Sequence, residues 1–327
     1  MAAFRKTALV AGLGVAALTL GACAGVDTSG SGGDAGGFDP GNRLTMIVPM
    51  GAGGGSDLSG RSIAAGLEEV TGKSFSVENQ DGGGGAVGYS NFLGLQGKAD
   101  TLLATETALI NLALTQDVPF SWESFTPIMK VGQDSTIMVV PSGAQYETCM
   151  DVVDAAKAGD VRVAVSGGAT GNDAIQFGLI EKDQGVTFQR VPYESGGEAI
   201  AAALGGHVDV ALTNPGEVIG QLEAGDLKPL CVIAEERYEY EELADIPTTV
   251  EQGIDVTFSQ YRGIIAPGGI SDEAKQYWVD ASKEYVETDS FEEYMSANYM
   301  QVDPLFGDDF SAYLKDYEAD LKAGLGD

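Results

Sequence analysis

The sequence predicts an α/β fold with a largely parallel sheet. Short apolar runs rich in Val, Ile and Leu alternate with amphipathic stretches from Asp39 onward. Those stretches have the length of helices in βαβ units, about 10–15 residues. Glycine loops join several runs to the stretch that follows, most plainly at 51–56, 82–85 and 166–171.

The first run, 44–49, leads into Met50-Gly-Ala-Gly-Gly-Gly-Ser-Asp57, which opens an amphipathic helix over 58–70. Glycine bares backbone N–H groups beside a helix N-terminus, and that arrangement favours an anion. No Lys or Arg lies between Arg43 and Arg61, so the local sequence has no cation to grip a phosphate. The combination suggests a carboxylate recognised by neutral backbone donors. Further strands are expected at 75–78, 101–105, 136–140, 161–165, 186–191, 208–213, 230–234 and 261–266. Helices are expected between them at 149–157, 173–182, 198–204 and 217–224. Pro267-Gly268-Gly269 then stops a strand, and Ser271-Asp272-Glu273 starts a helix with acids in its first turn, where the dipole favours them. Two or three helices run to the end, with Tyr277, Trp278 and Tyr285 as packing candidates.

Residues 1–22 read as a secretory signal. Arg5 and Lys6 precede an apolar run, 8–20, that is too short for a membrane span of about 20 residues. Leu20-Gly21-Ala22-Cys23 resembles a bacterial lipobox, in which Cys23 becomes the lipidated N-terminus. An ordinary signal peptide with an incidental cysteine is the other reading. Residues 23–38 have almost nothing to bury and read as a Gly/Ser-rich tether. On the lipobox reading the protein is exported and anchored to the outer face of the cell membrane.

The chain carries 49 acids against 18 bases, a formal charge of −31. A phosphate backbone would be repelled, which excludes a nucleic-acid partner. The scattered acids read as a solvated surface. Catalytic signatures are absent from the sequence: there is no Gly-x-Ser-x-Gly elbow, no Gly-x-x-x-x-Gly-Lys-Ser/Thr loop, and His207 is the one histidine. His and Cys are too few for zinc. Gly51-Ala-Gly53-Gly-Gly-Ser56 approaches a dinucleotide fingerprint, with Glu78 ending the second strand. Ser56 replaces its third glycine, however, and Asp57 would set a carboxylate beside a pyrophosphate. The expectation is a binding protein with no cofactor and no metal. Cys149 and Cys231 remain in the exported chain, either bridged or as two buried thiols.

Seven motifs recur in order. They are Ile47-Val-Pro-Met-Gly-Ala-Gly-Gly-Gly-Ser-Asp57, Val77-Glu-Asn-Gln-Asp-Gly-Gly-Gly-Gly-Ala-Val-Gly88, Val191-Pro-Tyr-Glu-Ser-Gly196, Leu204-Gly-Gly-His-Val-Asp-Val210, Ala224-Gly-Asp-Leu-Lys-Pro-Leu230, Ile246-Pro-Thr-Thr-Val-Glu-Gln-Gly253 and Arg262-Gly-Ile-Ile-Ala-Pro267. With them the chain, over nearly all of 42–325, resembles the substrate-binding proteins of tripartite tricarboxylate transporters, the TctC or Bug family.

The resemblance implies a two-lobed fold of the type II periplasmic-binding-protein kind, with a ligand cleft between the lobes. One lobe would combine 39–138 with 231–327, and the other would hold 139–230. Crossover strands near 136–140 and 230–234 would form the hinge, with Cys231 beside one and Cys149 just beyond the other, in reach of a disulfide. The ligand would be a small organic carboxylate, held by main-chain N–H groups and ordered water and delivered by a monomer to integral-membrane transporter subunits. Carried over, the first loop supplies Met50, Gly51, Ala52, Gly53, Gly54, Ser56 and Asp57, with Asp57 read as a helix N-terminal cap. The facing lobe supplies Ser166, Gly167, Gly168, Ala169 and Thr170. Thr105, Glu106 and Thr107, with Thr213, Asn214 and Pro215, would face the far end of the ligand, joined by Tyr193 and Ser195.

The chain departs from the family pattern in the cleft. Ala52 or Gly53 stands where a second proline is usual, Asp173 where a histidine is common, and Tyr261 where a tryptophan is frequent. Glu106 and Glu217, if turned inward, would suit an amino or hydroxyl group and disfavour a second carboxylate. Turned outward, they would only be solvated. A cell-surface sensor feeding a signalling partner is the alternative on the same fold, and an exported enzyme the remote one.

Overall fold

The computed structural model describes residues 38–325 apart from 160, 169, 170 and 194. The signal segment 1–22, Cys23, the tether up to residue 37, Ala169 and Thr170 lie outside the described residues. Among the described residues, no helix is long and apolar enough to cross a membrane.

In chain order the elements are β1 (Arg43–Val48), α1 (Gly55–Thr71), β2 (Ser74–Asn79), α2 (Ala86–Leu93), β3 (Thr101–Glu106), α3 (Ala108–Thr115), β4 (Phe125–Ser135) and β5 (Ile137–Pro141). Then come α4 (Cys149–Ala158), β6 (Arg162–Ser166), α5 (Asn172–Gln184), β7 (Gln189–Tyr193), α6 (Gly196–Leu204), β8 (Ala211–Thr213), α7 (Pro215–Ala224) and β9 (Leu227–Val232). The last are β10 (Ser259–Pro267), α8 (Asp272–Tyr285), α9 (Asp289–Ala297), β11 (Gln301–Phe306) and α10 (Asp308–Leu325).

A six-stranded sheet has the order β11-β4-β10-β3-β1-β2. Only β1 with β2 and β1 with β3 pair in parallel there; β10 is antiparallel to both β3 and β4, and β11 is antiparallel to β4. The expectation of a largely parallel sheet is therefore corrected to a mixed one. The local βαβ pattern is real, but β4 and β10 enter the sheet from outside it. A second group holds β5 between β8 and β9, both antiparallel to it, and β6 pairs in parallel with β7.

Strand alternation explains how the large sheet is covered on both faces. Met46, Val48, Leu102 and Ala104 pack with Ile63, Leu67, Trp278 and Tyr285 on the side of α1 and α8. Ile47 and Leu103, one residue out of phase, pack with Tyr89, Phe92, Leu109 and Phe310 on the other side. Glycine lets α1 dock closely. A Cβ at Gly60 would lie 2.6 Å from Val48 Cγ2, and one at Gly66 would lie 2.0 Å from the Tyr285 ring. That seating fixes where the N-terminus of α1 points.

The chain leaves the large sheet through Thr136, the single residue between β4 and β5. It returns after β9, where Ile233 N–H donates to the Thr136 carbonyl at 2.9 Å. The Tyr238 hydroxyl braces the same crossing, donating to the Ser135 carbonyl at 2.6 Å and accepting its N–H at 2.9 Å. Cys149, opening α4, and Cys231, in β9, form a disulfide with their Cα atoms 5.9 Å apart.

Candidate functional site

The register brings Glu106, at the end of β3, opposite Arg262 in β10, and Asp134, near the end of β4, opposite Gln260. The ends of β1, β3 and β4 thus share one edge of the sheet with the start of β10. The loop after β1 lies at that edge. Gly51, Ala52 and Gly53 are exposed, Met50, Gly54 and Ser56 half-buried. Gly53 has φ +86°, a left-handed conformation that favours glycine.

Asp57 organises this loop. Gly54 is the N-cap residue of α1 and makes no side-chain cap bond. Asp57, inside the first turn, accepts the Gly53 N–H at 2.9 Å, the Asn79 amide at 2.9 Å and Arg61 Nε at 3.0 Å. Burial opposes its charge, but these bonds outweigh burial and hold its carboxyl below the usual carboxylate range. The expected N-terminal cap is thus a first-turn brace whose carboxylate is committed to the loop. Asn79 also donates to the Met50 carbonyl at 3.0 Å.

The cation missing from the local sequence comes from far along the chain. Arg262, 206 residues after Ser56, directs Nη1 to the Ser56 hydroxyl at 3.4 Å. The same guanidinium pairs closely with Glu106 and lies 3.5 Å from Asp134 Oδ2 and from Gln260 Oε1. Arg262, Glu106 and Asp134 are all at least 94% buried, with 4, 6 and 4% exposed. Burial pushes the Asp134 carboxyl up more than the attraction of Arg262 pulls it down. Arg262 itself is held firmly charged: its burial is outweighed by the acids around it.

Glu217, in the first turn of α7, reaches the same edge from the other strand group. Its Oε1 accepts the Gly55 N–H at 3.0 Å, and a Cβ at Gly196 would lie 2.4 Å from its Oε2. Its carboxylate therefore sits between the N-termini of α1 and α6, where helix dipoles favour it. Burial nonetheless raises its pKa, with Arg262 opposing. Neither Glu106 nor Glu217 is turned out to solvent.

On the facing side, Ser166 ends β6 and donates to Asp173 Oδ2 through its N–H at 2.9 Å and its hydroxyl at 2.5 Å. Burial raises the Asp173 carboxyl to about 6 against the pull of these two bonds. Gly167 and Gly168, with φ +71° and +78°, turn the chain into α5. Asn172, the first residue of α5, crosses to the large sheet's side: its Oδ1 accepts the Thr107 hydroxyl at 2.9 Å and the Asn111 amide at 2.5 Å.

The remaining expected residues divide by what already occupies them. Thr105 is buried and shares a hydrogen bond with the Tyr89 hydroxyl at 3.1 Å. Ser195 is the N-cap of α6, accepting the Glu198 N–H at 3.3 Å. Tyr193 ends β7, half-buried. Thr213 ends β8, and Asn214-Pro215 opens α7 beside Glu217. Contacts across the seam bring the first loop, 105–107 and 213–217 together, with Ser166 near them through Asp173 and Asn172. The sequence reading missed Arg262, Asp134 and Asn172 as functional residues. Arg262 did carry a signal, being a lone cation at the head of an apolar strand.

The family model described as tripartite tricarboxylate transporter family receptor matches residues 60–319. The chain belongs to that family. It is 25% identical over 236 residues to the protein BugT of Bordetella pertussis, covering 70% of this chain and 72% of that one. A TctC solute-binding protein from Polaromonas, solved without ligand, is 26% identical, with a TM-score of 0.66 over 86% of this chain and 97% of that one. MatC from Rhodopseudomonas palustris, solved with bound malate, shares the fold at 18% identity, with a TM-score of 0.77 over 86% of this chain and 98% of that one. The fold of this family receptor is thus the two-lobed type II periplasmic-binding-protein fold, and the protein is a solute-binding receptor and not an enzyme.

Proposed function

We propose that this family receptor binds a small organic carboxylate between two lobes, 39–138 with 231–327 and 139–230, hinged where the chain crosses at Thr136 and Ile233. The observation that carries this reading is the exposed glycine loop at the N-terminus of α1, braced by Asp57 and followed by Gly55, whose N–H donates to Glu217 in the first turn of α7. Backbone donors at a helix N-terminus suit a carboxylate, and the malate held by MatC has that chemistry. Met50, Gly51, Ala52, Gly53, Gly54 and Ser56 would provide one side. Ser166, Gly167 and Gly168, with Ala169 and Thr170, would provide the other.

Closure of the lobes on the ligand would present it to integral-membrane transporter subunits. The lipobox-like Leu20-Gly21-Ala22-Cys23 and the tether after it support an exported protein held at the membrane by lipidated Cys23. A thermal-shift screen over mono-, di- and tricarboxylates and amino acids tests the binding claim, because a ligand in excess stabilises the bound form. The expected result is a saturable rise in melting temperature for at least one carboxylate. A flat screen would overturn the reading.

A further inference from the structure

Among the described residues, Tyr299 is the only non-glycine with a positive φ, +54°. It follows α9, where its N–H donates to the Ser296 carbonyl at 3.1 Å and the Met300 N–H reaches back to the Met295 carbonyl at 2.9 Å. A turn of this kind places a left-handed residue just past the helix, ordinarily glycine, because a Cβ is disfavoured there. Gly72, Gly185 and Gly225 fill that place after α1, α5 and α7, with φ of 65°, 66° and 73°. Tyrosine therefore strains the end of α9. Such strain persists where the surrounding contacts over-determine it.

The contacts of Tyr299 lead across the seam. The residue is half-buried, and its ring meets that of Tyr240 edge-on, with centroids 5.1 Å apart. The Tyr240 hydroxyl donates to the Met300 carbonyl at 2.8 Å, which ties it to the same turn. Both tyrosines pack against the core of the smaller strand group, which includes Val218 of α7 and Val232 of β9. Burial raises the Tyr299 hydroxyl pKa, and the charges of Glu242 and of Glu223 in α7 add to it. The preceding residue, Asn298, abuts the first turn of α7: a Cβ on Gly216 would lie 2.9 Å from its Oδ1 and 3.0 Å from its Cα. The next residue is Glu217, whose carboxylate accepts the Gly55 N–H.

We propose that Tyr299 is a positioning residue for the cleft: its ring, carried on a strained turn, seats α7 so that Glu217 meets Gly55 at the N-terminus of α1. The inference rests on the cleft reading above and adds to it a residue that touches no ligand. Two successive residues of the turn divide the task. Asn298 meets the first turn of α7, and Tyr299 packs with the core beneath that helix. Glycine at 299 would relax the backbone and lose the ring contact. Phenylalanine would keep both the strain and the contact, because the edge-on packing with Tyr240 needs the ring and not the hydroxyl.

The test is amide hydrogen exchange, followed by NMR on the protein without added ligand, at Gly55, whose N–H reports the bond across the seam. Ile47 and Leu103, in the core of the large sheet, serve as references. Tyr299→Gly is expected to speed exchange at Gly55 by roughly three- to tenfold, the worth of an aromatic pair, and to leave Ile47 and Leu103 at their wild-type rates. Tyr299→Phe is expected to leave all three unchanged. A tyrosine that serves only to end α9 predicts that glycine, which suits the turn better, leaves Gly55 as protected as before or more so. That outcome would overturn the assignment. So would equal acceleration at all three amides, which would mean a general loss of stability, or a Phe variant that matches the Gly variant. A Gly55 amide unprotected in the wild type would overturn it too, because there would be no contact for Tyr299 to position. The carboxylate screen is independent of these results, so a failure here leaves that reading standing.

Discussion

The Glu217 carboxylate of α7 accepts the N–H of Gly55, the first residue of α1, at 3.0 Å. Glu217 belongs to the smaller strand group and Gly55 to the large sheet, so this bond crosses the seam at which a ligand would bind. The same carboxylate is buried near two other acids and is raised in pKa, chiefly by burial. It is both a clasp and an electrostatic cost.

Glu217→Gln keeps an acceptor for the Gly55 N–H and removes the buried charge. A raised acid pKa means that the folded state binds protons the unfolded state releases, so ionised Glu217 costs stability at neutral pH. That cost vanishes as the pH falls below the carboxyl's ordinary range. The ligand-free variant is expected to melt above the wild type at pH 7, with the difference closing toward pH 4. Melting curves across that range check it.

Asp173 gives a similar slope with a defined window. Its carboxyl rises from 3.8 to about 6 in the folded state. Stability contributed at this site is therefore highest below about pH 4 and falls as pH rises to about 6, by on the order of 3 kcal/mol. Asn at this position still accepts the Ser166 N–H. Asp173→Asn is expected to remove that part of the pH dependence in urea unfolding measured from pH 4 to pH 7.

Arg262→Met removes the one guanidinium within the acid cluster. Breaking a buried pair by deleting one partner costs about 3–5 kcal/mol, because the other charges stay buried. A loss of that size in the urea unfolding free energy at pH 7 is expected. Arg262→Lys should recover only part of it, since an ammonium lacks the planar fork that meets Glu106, Asp134, Gln260 and Ser56 together.

The Cys149–Cys231 bridge spans 82 residues. Closing a loop of that length in the unfolded chain is worth about 4–5 kcal/mol on the chain-entropy account. The double variant Cys149→Ala, Cys231→Ala should lose stability in that direction. Alkylation with and without reductant should show two thiols appearing only after reduction.

The parts of this molecule legible in its sequence are those encoded by neighbours. The apolar run, glycine loop and helix at β1–α1 lie within thirty residues, and their order alone conveys an anion-facing loop. What was hidden depends on pairing across the chain. Glu106 and Arg262 are 156 residues apart, so no local pattern announces that one neutralises the other. Strand β4 was missed because Lys130, Gly132 and Asp134 interrupt its apolar alternation, although the fold buries all three. Strand β11 was missed because its first three residues, Gln301, Val302 and Asp303, are exposed at the sheet edge. Without β4 and β11 in view, the parallel βαβ pattern of the other strands overstated the parallel character of the sheet.

The most direct measurement of the central claim is calorimetric titration of the best carboxylate from the screen into wild-type protein and Ser56→Trp. Ser56 sits in the first turn of α1 with its hydroxyl 3.4 Å from Arg262 Nη1, and an indole there would crowd the seam beside the loop. Wild-type protein should bind one equivalent saturably, and Ser56→Trp, shown to be folded by its cooperative unfolding, should lose binding by about a hundredfold or more. Equal affinity in the two proteins would contradict the assignment of the α1 loop as the carboxylate site.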